Sequence, residues 1–231
     1  THISFVLLAG ALAYKMKKAV NLGFVDFTTL ALRRFYCDEE LRLNRRLAPA
    51  LYLDVLAVTG SVDAPVLGGT GASIDCTVKM RAFAQAGLWD RIAARGALGP
   101  AHIDVLAGLI CDFHRDAAVA PATGPFGQPQ QVRAPMLDNL VELRRLLTGG
   151  TDRSSLDALD RWEAAAFTAL EDTFAERLRT GRIRECHGDL HLGNVAWVNG
   201  QLLIFDCIEF SPALRWIDVI SEVAFCFMDL L

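Results

Sequence analysis

The sequence predicts an α+β fold in which a small antiparallel β lobe precedes a larger helical lobe. In the first part of the chain, short apolar runs and alternating patterns are separated by glycine-containing turns, which is typical of β-strands. Further along, apolar residues recur at helical spacing, as in Ile103, Leu106 and Ile110. We therefore expect a β lobe with one helix over residues 1–81 and a helical lobe over residues 82–231.

Composition and charge narrow the classes of function. The chain has 231 residues, 52% of them hydrophobic, which is enough apolar material for a sizeable core. A formal net charge of -4 argues against nucleic acid or an anionic membrane as the main partner, because both attract a concentrated basic surface. Six cysteines without a CxxC pair are typical of reduced thiols in a cytoplasmic protein. The apolar run Ile3 to Tyr14 is too short to span a bilayer.

The first predicted element is a β-hairpin with strands Phe5 to Leu8 and Leu12 to Lys17. Lys15 and Lys17 share one face of the second strand. A lysine in such a place can point into a cleft and hold phosphate oxygens. We expect one of these two lysines to have that role, and the other to lie with Lys18 on a solvated edge.

The next predicted element is a helix that begins after a cap at Thr28 or Thr29 and runs to the following proline. On a helical projection, Glu40 falls in the middle of the apolar face. A carboxylate on a buried face needs a cation, and a lysine of the preceding hairpin is the nearest source in sequence. We therefore predict an ion pair between Glu40 and Lys15, with Lys17 as the alternative partner. The other interpretation is a surface pair within the helix itself.

The residues Ile74 to Arg81 alternate strictly between apolar and polar, which predicts a half-buried strand. This strand ends at Met80 and Arg81. The backbone that follows, Arg81 to Phe83, would connect the two lobes.

The helical lobe is predicted from periodicity and from capping residues. One helix is expected around Leu137 to Leu147, followed by a break at two glycines and a restart after a cap at Ser154 or Ser155. A last helix is expected from Trp216 to Phe227. We interpret His114 as a helix-surface residue.

The polar stretch around which the chain is organised runs from Cys186 to Asn194 and is followed by Asp206 at the end of an apolar run. Between them, Asn199-Gly200 separates two apolar runs, which is a strong hairpin signal. In the register that this turn favours, Asn194 lies opposite Phe205 and beside Asp206, about 5 Å away at the backbone. An amide oxygen and a carboxylate oxygen suit a hard cation such as Mg²⁺.

Asp189 precedes Asn194 by the spacing found in the kinase catalytic loop. In that loop the aspartate accepts the proton of the substrate hydroxyl, while the asparagine and a later aspartate hold metal. The pattern therefore indicates phosphoryl transfer with Asp189 as the base.

Two other functions fit parts of this pattern. A two-metal phosphoesterase would use Asp189, His191 and Asn194 as metal ligands. Such a site needs further histidine ligands, and His2, His102 and His114 are not suitably arranged to supply them. A non-catalytic kinase-like binding module would have the same fold, because a fold does not guarantee chemistry.

Taken together, His187-Gly188-Asp189, His191, Asn194 and Asp206 resemble the marker of the aminoglycoside phosphotransferase and choline kinase group. The segments Tyr14 to Lys18 and Glu39 to Pro49 are similar to a bacterial branch of predicted kinases within that group. The likeness covers nearly the whole chain. It implies a protein-kinase-like two-lobe fold.

The resemblance also implies roles for individual residues. Asp189 would be the catalytic base, and Asn194 and Asp206 would bind Mg²⁺. Lys15 would hold the phosphates of ATP, or alternatively of GTP, with Glu40 as its partner. We choose Lys15 over Lys17 because family members follow this lysine with an apolar residue, as Met16 does here.

For the nucleotide base, the resemblance implies contacts from Met80 and Arg81, where the strand enters the connector between lobes. Gly188 stands where protein kinases have the arginine that reads an activation-loop phosphate, and few residues separate Asp206 from the next helix. Both features favour a small-molecule hydroxyl as the phosphate acceptor.

The resemblance carries two further expectations about the length of the protein. The first strand of the fold and the C-terminal helices of the substrate pocket are not found in this sequence, so we expect a fragment of a longer protein. Some members of the bacterial branch are fused to a C-terminal P-loop kinase domain, which makes such a domain, fused or separate, an expected partner.

Overall fold

The computed structural model describes residues 2–147 and 149–231, so Thr1 and Thr148, which fall within the two predicted lobes, lie outside the described residues. The predicted α+β class is confirmed. The strands, in chain order, are β1 (Ser4–Ala9), β2 (Leu12–Lys17), β3 (Tyr52–Gly60), β4 (Pro65–Leu67), β5 (Asp75–Arg81), β6 (Ile183–Glu185), β7 (Val195–Val198), β8 (Gln201–Ile204) and β9 (Trp216–Asp218). The helices are α1 (Leu30–Asn44), α2 (Trp89–Ala94), α3 (Pro100–Asp116), α4 (Pro129–Leu146), α5 (Gly150–Arg179), α6 (Pro212–Arg215) and α7 (Val219–Leu230).

The described chain forms two compact units. The first contains residues 2–116, His187–Arg215 and Ile220–Leu231, and the second contains Ala117–Cys186 and Trp216–Val219. The first unit therefore holds both the N-terminal strands and the polar stretch that the sequence singled out. A functional division into lobes at residues 1–81 and 82–231 stays a prediction.

The first unit is built on a five-stranded antiparallel sheet in the order β1-β2-β5-β3-β4. The predicted N-terminal hairpin is confirmed, and burial alternates along β2 so that Ala13, Lys15 and Lys17 lie on its buried face. Because side chains alternate across a strand, the two lysines necessarily share that face. Two charged side chains are thus buried next to an apolar core.

Helix α1 packs on this sheet. Its cap is Thr29, whose side-chain oxygen accepts a hydrogen bond from the Leu32 backbone N–H at 3.2 Å. The helix ends at Asn44 and not at Pro49, and the chain between them forms turns, in which the Arg46 N–H donates to the Leu43 carbonyl and the Leu47 N–H to the Asn44 carbonyl. The predicted placement of Glu40 is confirmed, since this side chain is completely buried.

The hairpin of β7 and β8 has the predicted register. Val198 pairs with Gln201, and the Phe205 N–H donates to the Asn194 carbonyl at 3.0 Å. The two turn residues have positive φ, 51° for Asn199 and 79° for Gly200, which is the backbone that the Asn-Gly dipeptide accommodates. Asn194 and the residue preceding Asp206 are therefore direct neighbours.

The second unit contains α4, α5 and the short pair of β6 with β9. The predicted cap at Ser154 or Ser155 is wrong: the helix begins at Gly150 with Gly149 as its cap, and the Ser154 hydroxyl donates to the Thr151 carbonyl inside the first turns. A serine within a helix can satisfy its hydroxyl in this way, so its presence does not require a helix start.

The predicted last helix starts later than expected. Its first three residues form β9, in which Asp218 pairs with Ile183 of β6, and the helix begins at Val219. Arg177 also binds the Asp218 carboxylate through two hydrogen bonds of 2.5 and 2.7 Å. These long-range partners override the local helical pattern. Within the described residues, no helix has the combined length and apolarity that crossing a membrane requires.

Candidate active site

Four buried charged residues of the first unit form what we call the lysine–glutamate cluster: Lys15, Lys17, Glu40 and Glu209. The two Glu40 oxygens are divided between the lysines, with Oε1 at 2.8 Å from the Lys15 ammonium and Oε2 at 2.8 Å from the Lys17 ammonium. The Lys17 ammonium also contacts Glu209. The predicted ion pair of Lys15 with Glu40 is confirmed. The prediction that the second lysine is solvated is wrong, since Lys17 is only 2% exposed.

Within the cluster, the charges around Glu40 and Lys15 hold these two groups in their ionised forms, whereas burial raises the pKa of Glu209. Burial by itself would raise the pKa of Glu40, but the nearby charges of Lys15 and Lys17 outweigh it and lower that pKa. For Lys15, burial works to lower the pKa, and the carboxylates of Asp206 and Glu40 reverse the effect and raise it. Lys15 therefore keeps its positive charge beside Asp206.

Asp206 lies between this cluster and solvent. Its Oδ1 is 2.5 Å from the Lys15 ammonium, yet 39% of its side chain is exposed. Its backbone φ is 63°, which is uncommon for residues other than glycine, although aspartate adopts it more readily than most. Such a conformation persists only where the surroundings determine it, and it is most frequent at functional sites.

The surroundings of Asp206 do determine its backbone. Its own N–H donates to the Tyr52 hydroxyl of β3 at 3.2 Å. The next N–H, of Cys207, donates to the Asn44 side chain of α1 at 2.9 Å, and that of Ile208 donates to the His187 carbonyl at 3.1 Å. Consecutive N–H groups are thus bound to different parts of the unit. The sequence did not suggest this role for either Tyr52 or Asn44, the latter having been considered only as a surface partner of Glu40.

The segment His187–Asn194 is referred to below as the reactive loop. Within it, the Asn194 side-chain nitrogen donates to the Asp189 carbonyl oxygen at 2.9 Å and to the Asp189 carboxylate at 3.1 Å. The carboxylate also lies 3.5 Å from the His191 ring, and 40% of the Asp189 side chain is exposed. The structure therefore places Asp189 and Asn194 together, and the hairpin register places Asn194 beside the strand end that carries Asp206.

The reactive loop keeps Asp189 ionised. Burial works to raise the pKa of this carboxyl, and the hydrogen bond and charge of His191 outweigh burial and lower it. His187 itself is buried, and burial lowers its pKa. Its Nε2 faces the Phe205 carbonyl at 2.9 Å and its Nδ1 accepts from the Asp189 N–H, which assigns the neutral tautomer with the proton on Nε2.

Helix α7 supports the reactive loop with two carboxylates. Glu222 Oε1 accepts from the backbone N–H groups of His187 at 2.5 Å and Gly188 at 2.9 Å, while Asp229 accepts from the Leu192 N–H at 2.7 Å. The other Glu222 oxygen lies 2.5 Å from the His114 ring. Our interpretation of His114 as a helix-surface residue is therefore wrong.

The sequence did contain a signal for this support. Glu222 and Asp229 are two turns apart on an otherwise strongly apolar helix, so they lie on one face, and acidic residues in such a place need partners. The partners themselves are far away in the chain, which is why the pattern alone did not identify them.

Gly188 is required by the shape of the reactive loop. Its φ is +88°, and a Cβ atom at this position would lie 2.7 Å from the Leu214 carbonyl oxygen. An arginine, which protein kinases have at the corresponding place, does not fit this backbone.

Met80 and Arg81, the residues predicted to meet the nucleotide base, end strand β5. Met80 is 9% exposed and belongs to the core beneath the sheet, whereas Arg81 is exposed. The N–H groups of Arg81 and Ala82 already donate to the carbonyls of Leu51 and Ala11, both at 2.9 Å. Any base contact by Arg81 would therefore use its carbonyl or its side chain, and this role stays a prediction.

Comparison with known proteins adds family information to this geometry. The sequence model described as the phosphotransferase enzyme family matches residues 23–229, which include Glu40, the reactive loop and Asp206. The match covers most of the chain and leaves out the strand that carries Lys15.

Alignments with individual relatives cover the whole chain. The uncharacterized proteins Rv2004c of Mycobacterium tuberculosis (strain H37Rv) and Mb2027c of Mycobacterium bovis are each 30% identical to it over 234 residues. The alignment covers 100% of this chain and 45% of each relative, so the chain spans less than half of their length. Among solved structures, a glucosamine kinase is 14% identical with a TM-score of 0.42, over 97% of this chain and 56% of that one.

Proposed function

Since the chain belongs to the phosphotransferase enzyme family, we propose that it transfers the γ-phosphate of ATP to a hydroxyl group of a small molecule. One observation carries the proposal. A lysine held by a buried glutamate, a half-exposed aspartate at a strand end and an ionised aspartate in the reactive loop all belong to one compact unit. These are the groups that phosphoryl transfer needs for binding phosphate, holding metal and accepting a proton.

Lys15 is the residue proposed to bind the nucleotide phosphates. Its ammonium group is ionised and 10% of its side chain is exposed, while Glu40 holds it from the buried side. Its second partner, Asp206, is the more exposed one. A phosphate oxygen can therefore replace Asp206 as the partner of Lys15 without breaking the pair with Glu40. We propose ATP as the nucleotide, with GTP as the alternative.

Asn194 and Asp206 are the residues proposed to hold Mg²⁺. The donor set fits this ion, because Mg²⁺ takes carboxylate and amide oxygens and completes its shell with phosphate and water. The Asn194 side-chain nitrogen faces Asp189, which leaves its oxygen as the end that faces a cation. When bound, Mg²⁺ would neutralise charge that develops on the transferred phosphoryl group.

Asp189 is proposed as the general base. Its lowered pKa keeps the carboxylate ionised near neutral pH, and its exposed fraction of 40% leaves it accessible to a substrate hydroxyl. Because phosphoryl transfer is mainly a matter of positioning, the base orients the hydroxyl and accepts its proton as the new phosphorus–oxygen bond forms.

A small molecule is the proposed acceptor because the segment after Asp206 is short and fully anchored. Helix α6 begins at Pro212, and the N–H groups from Asp206 to Ile208 all have partners. An activation loop that docks a peptide needs a longer and more mobile segment. The proposal includes a cytoplasmic setting, supported by six free cysteines, and a P-loop kinase domain as a fused or separate partner.

The proposal is tested by measuring ATP binding to the full-length protein with and without Mg²⁺, and ATP consumption across a panel of hydroxyl-bearing metabolites. The parent should bind Mg-ATP and consume it with at least one acceptor. Asp206→Ala should abolish the Mg-dependent part of ATP binding, because it removes the only charged oxygen of the proposed metal site.

The matched control is Asp104→Asn, which removes an exposed carboxylate from α3 within the same compact unit. It should bind Mg-ATP as the parent does. Equal Mg-ATP affinity in Asp206→Ala and the parent would overturn the proposed metal site. Binding without turnover of any acceptor would instead favour a non-catalytic nucleotide-binding module.

A further inference from the structure

The second lysine of the lysine–glutamate cluster has no role in the proposed chemistry. The Lys17 ammonium contacts Glu40 and Glu209, and its side chain is 0% exposed, so a ligand cannot reach it. The Phe27 ring also lies close to this ammonium group, with its centroid 4.9 Å away. Lys17 and Glu209 therefore affect the proposed site through the residues that they contact.

Burying these charges is costly for the fold. Moving an ion into a protein interior costs several kcal/mol per ion, and a buried ion pair is often no more stabilising than apolar side chains of similar size. Around Glu40, two lysines face three carboxylates, those of Glu40, Glu209 and Asp206. Such a buried group of charges adds little to the stability of the fold. Its role is better explained by the positions in which it holds the charged side chains.

Resting on the function proposed above, we propose that Lys17 and Glu209 form a positioning pair that sets the affinity of the site for Mg-ATP. The pair connects three segments of the first unit: strand β2, helix α1 through Glu40, and the segment from Asp206 to Glu209 through Glu209 itself. Each of these segments also supplies one group of the proposed site.

On the side of helix α1, Lys17 determines which carboxylate oxygen of Glu40 contacts Lys15. Glu40 Oε2 is occupied by Lys17, so Oε1 remains for Lys15. Without Lys17, both oxygens of Glu40 would be open to Lys15. The ammonium group of Lys15 would then be drawn toward α1 and away from Asp206.

On the other side, Glu209 adds a side-chain anchor to the segment that carries Asp206. The Glu209 carbonyl also accepts from the Arg215 guanidinium at 3.2 Å. The backbone bonds of Asp206 and Cys207 fix the segment upstream of this point. The pair of Glu209 with Lys17 therefore holds the downstream end, three residues after an aspartate whose φ is 63°.

The test is the variant Glu209→Gln in the full-length protein. Glutamine keeps the shape and leaves the two lysines facing the carboxylates of Glu40 and Asp206, so the remaining charges balance one another. Partners that orient a metal-binding or phosphate-binding group typically change affinity by about 10- to 100-fold when removed, and we expect Mg-ATP to bind weaker by that factor. The control is Asp38→Asn, which removes a carboxylate from an exposed pair on α1.

A second variant separates positioning from simple stability. Lys17→Met combined with Glu209→Gln removes one positive and one negative charge, so the fold should be retained. If the pair only stabilised the fold, this double variant would recover the parent's Mg-ATP affinity. We expect it to bind Mg-ATP at least as weakly as Glu209→Gln does, measured well below the unfolding midpoints of both proteins.

A third measurement does not depend on nucleotide. Hydrogen exchange of the Asp206 and Cys207 amides should be faster in Glu209→Gln than in the parent or in Asp38→Asn, because the segment has lost the side-chain anchor at its downstream end and keeps only the bond from Arg215 to the Glu209 carbonyl. Parent-like exchange together with parent-like Mg-ATP affinity would overturn the inference. A parent protein that binds no Mg-ATP would overturn the proposed function, and amide exchange would still decide whether the pair positions Asp206.

Discussion

The lysine–glutamate cluster and the reactive loop differ in the burial of their charged side chains, although both belong to the first compact unit. In the cluster, the side chains of Lys17 and Glu40 are completely buried and their charged groups bind one another. In the reactive loop, the side chains of Asp189 and His191 are 40% and 37% exposed and meet at the longer distance of 3.5 Å. The buried charges are held by charged partners at short distance. In the reactive loop, the Asp189 carboxylate is held by the Asn194 amide and the His191 ring, and the His191 ring also accepts from the Gly193 N–H.

The difference has a physical reason. A buried charge without a partner costs several kcal/mol, so the cluster cannot release its partners readily. A half-exposed charge can exchange one partner for water or for a ligand at small cost. We infer that the cluster fixes positions, whereas the reactive loop is where partners change during the reaction. Asp206 combines both properties, since it binds Lys15 on one side and is exposed on the other.

The largest effect should come from the reactive loop itself. Asp189→Asn keeps the shape of the side chain but removes the base. It should lower kcat by about 10²- to 10⁴-fold, the usual span for a positioned general base. Mg-ATP affinity should stay within a few-fold of the parent, because the proposed nucleotide contacts come from other residues. Single-turnover kinetics and equilibrium ATP binding on the one variant measure the two quantities.

The same variant decides between two chemistries. If the chain were a two-metal phosphoesterase, Asp189 would be a metal ligand, and Asp189→Asn would lose bound metal. Reduced metal content in the variant, with phosphatase activity in the parent, would contradict the kinase interpretation. Full turnover in the variant would contradict both the kinase and the phosphoesterase interpretation. It would also contradict our inference that the reactive loop is where partners change during the reaction.

The contrast between the two regions was partly predictable from sequence. The Asn199-Gly200 turn determined a register that placed Asn194 beside Asp206, because only one pairing keeps the apolar residues on one face. Glu40 was predictable because its helical phase depends on local spacing. These successes share one property, which is that the information lay within a few residues of the site.

The partners that the sequence missed are distant ones. Alternation along β2 placed Lys15 and Lys17 on one face, but one buried glutamate was expected to need only one lysine. Glu209, the second buried acceptor, follows Asp206 in a stretch without regular periodicity. His114 and Glu222 approach each other across 108 positions, and no local pattern encodes such a contact.

A smaller effect than that of Asp189→Asn is expected from the support of the reactive loop. Glu222 is 2% exposed and accepts hydrogen bonds from two backbone N–H groups, with His114 at its other oxygen. Glu222→Gln should lower the free energy of unfolding near neutral pH by about 1.5–3 kcal/mol, the range for hydrogen bonds to a charged group. Denaturant unfolding of parent and variant measures the difference. Glu142→Gln, which breaks a solvent-exposed pair on α4, should show no measurable change.

The pH dependence of this difference has a definite sign. Burial works to raise the pKa of Glu222, and the contacts with His114, His187 and the Gly188 N–H outweigh burial and lower it. A lowered folded-state pKa means that the stabilisation is complete above the unfolded value of about 4.3 and is lost as the pH falls through the folded value. The stability difference between parent and Glu222→Gln should therefore shrink on acidification. A difference that grows toward acidic pH would contradict this assignment.

The smallest expected effect is a change in the titration of His191, which tests whether the exposed charges of the reactive loop interact at all. The hydrogen bond with Asp189 raises the pKa of His191, against the opposing effect of burial. The Gly193 N–H donates to Nδ1 of this ring at 3.1 Å, which leaves Nε2 to face Asp189. We expect the His191 ring resonances in an NMR titration to have a midpoint above the usual value of about 6.5.

Asp189→Asn should move this midpoint down toward the usual value, because the carboxylate is the largest cause of the shift. The control Asp104→Asn should leave the His191 midpoint unchanged. A raised pKa favours the folded state below the usual value of about 6.5, and that contribution disappears as the pH rises through the folded value. If the midpoint stays the same in Asp189→Asn, the two side chains do not share a proton-dependent contact, and the orientation of Asp189 must then depend on Asn194 alone.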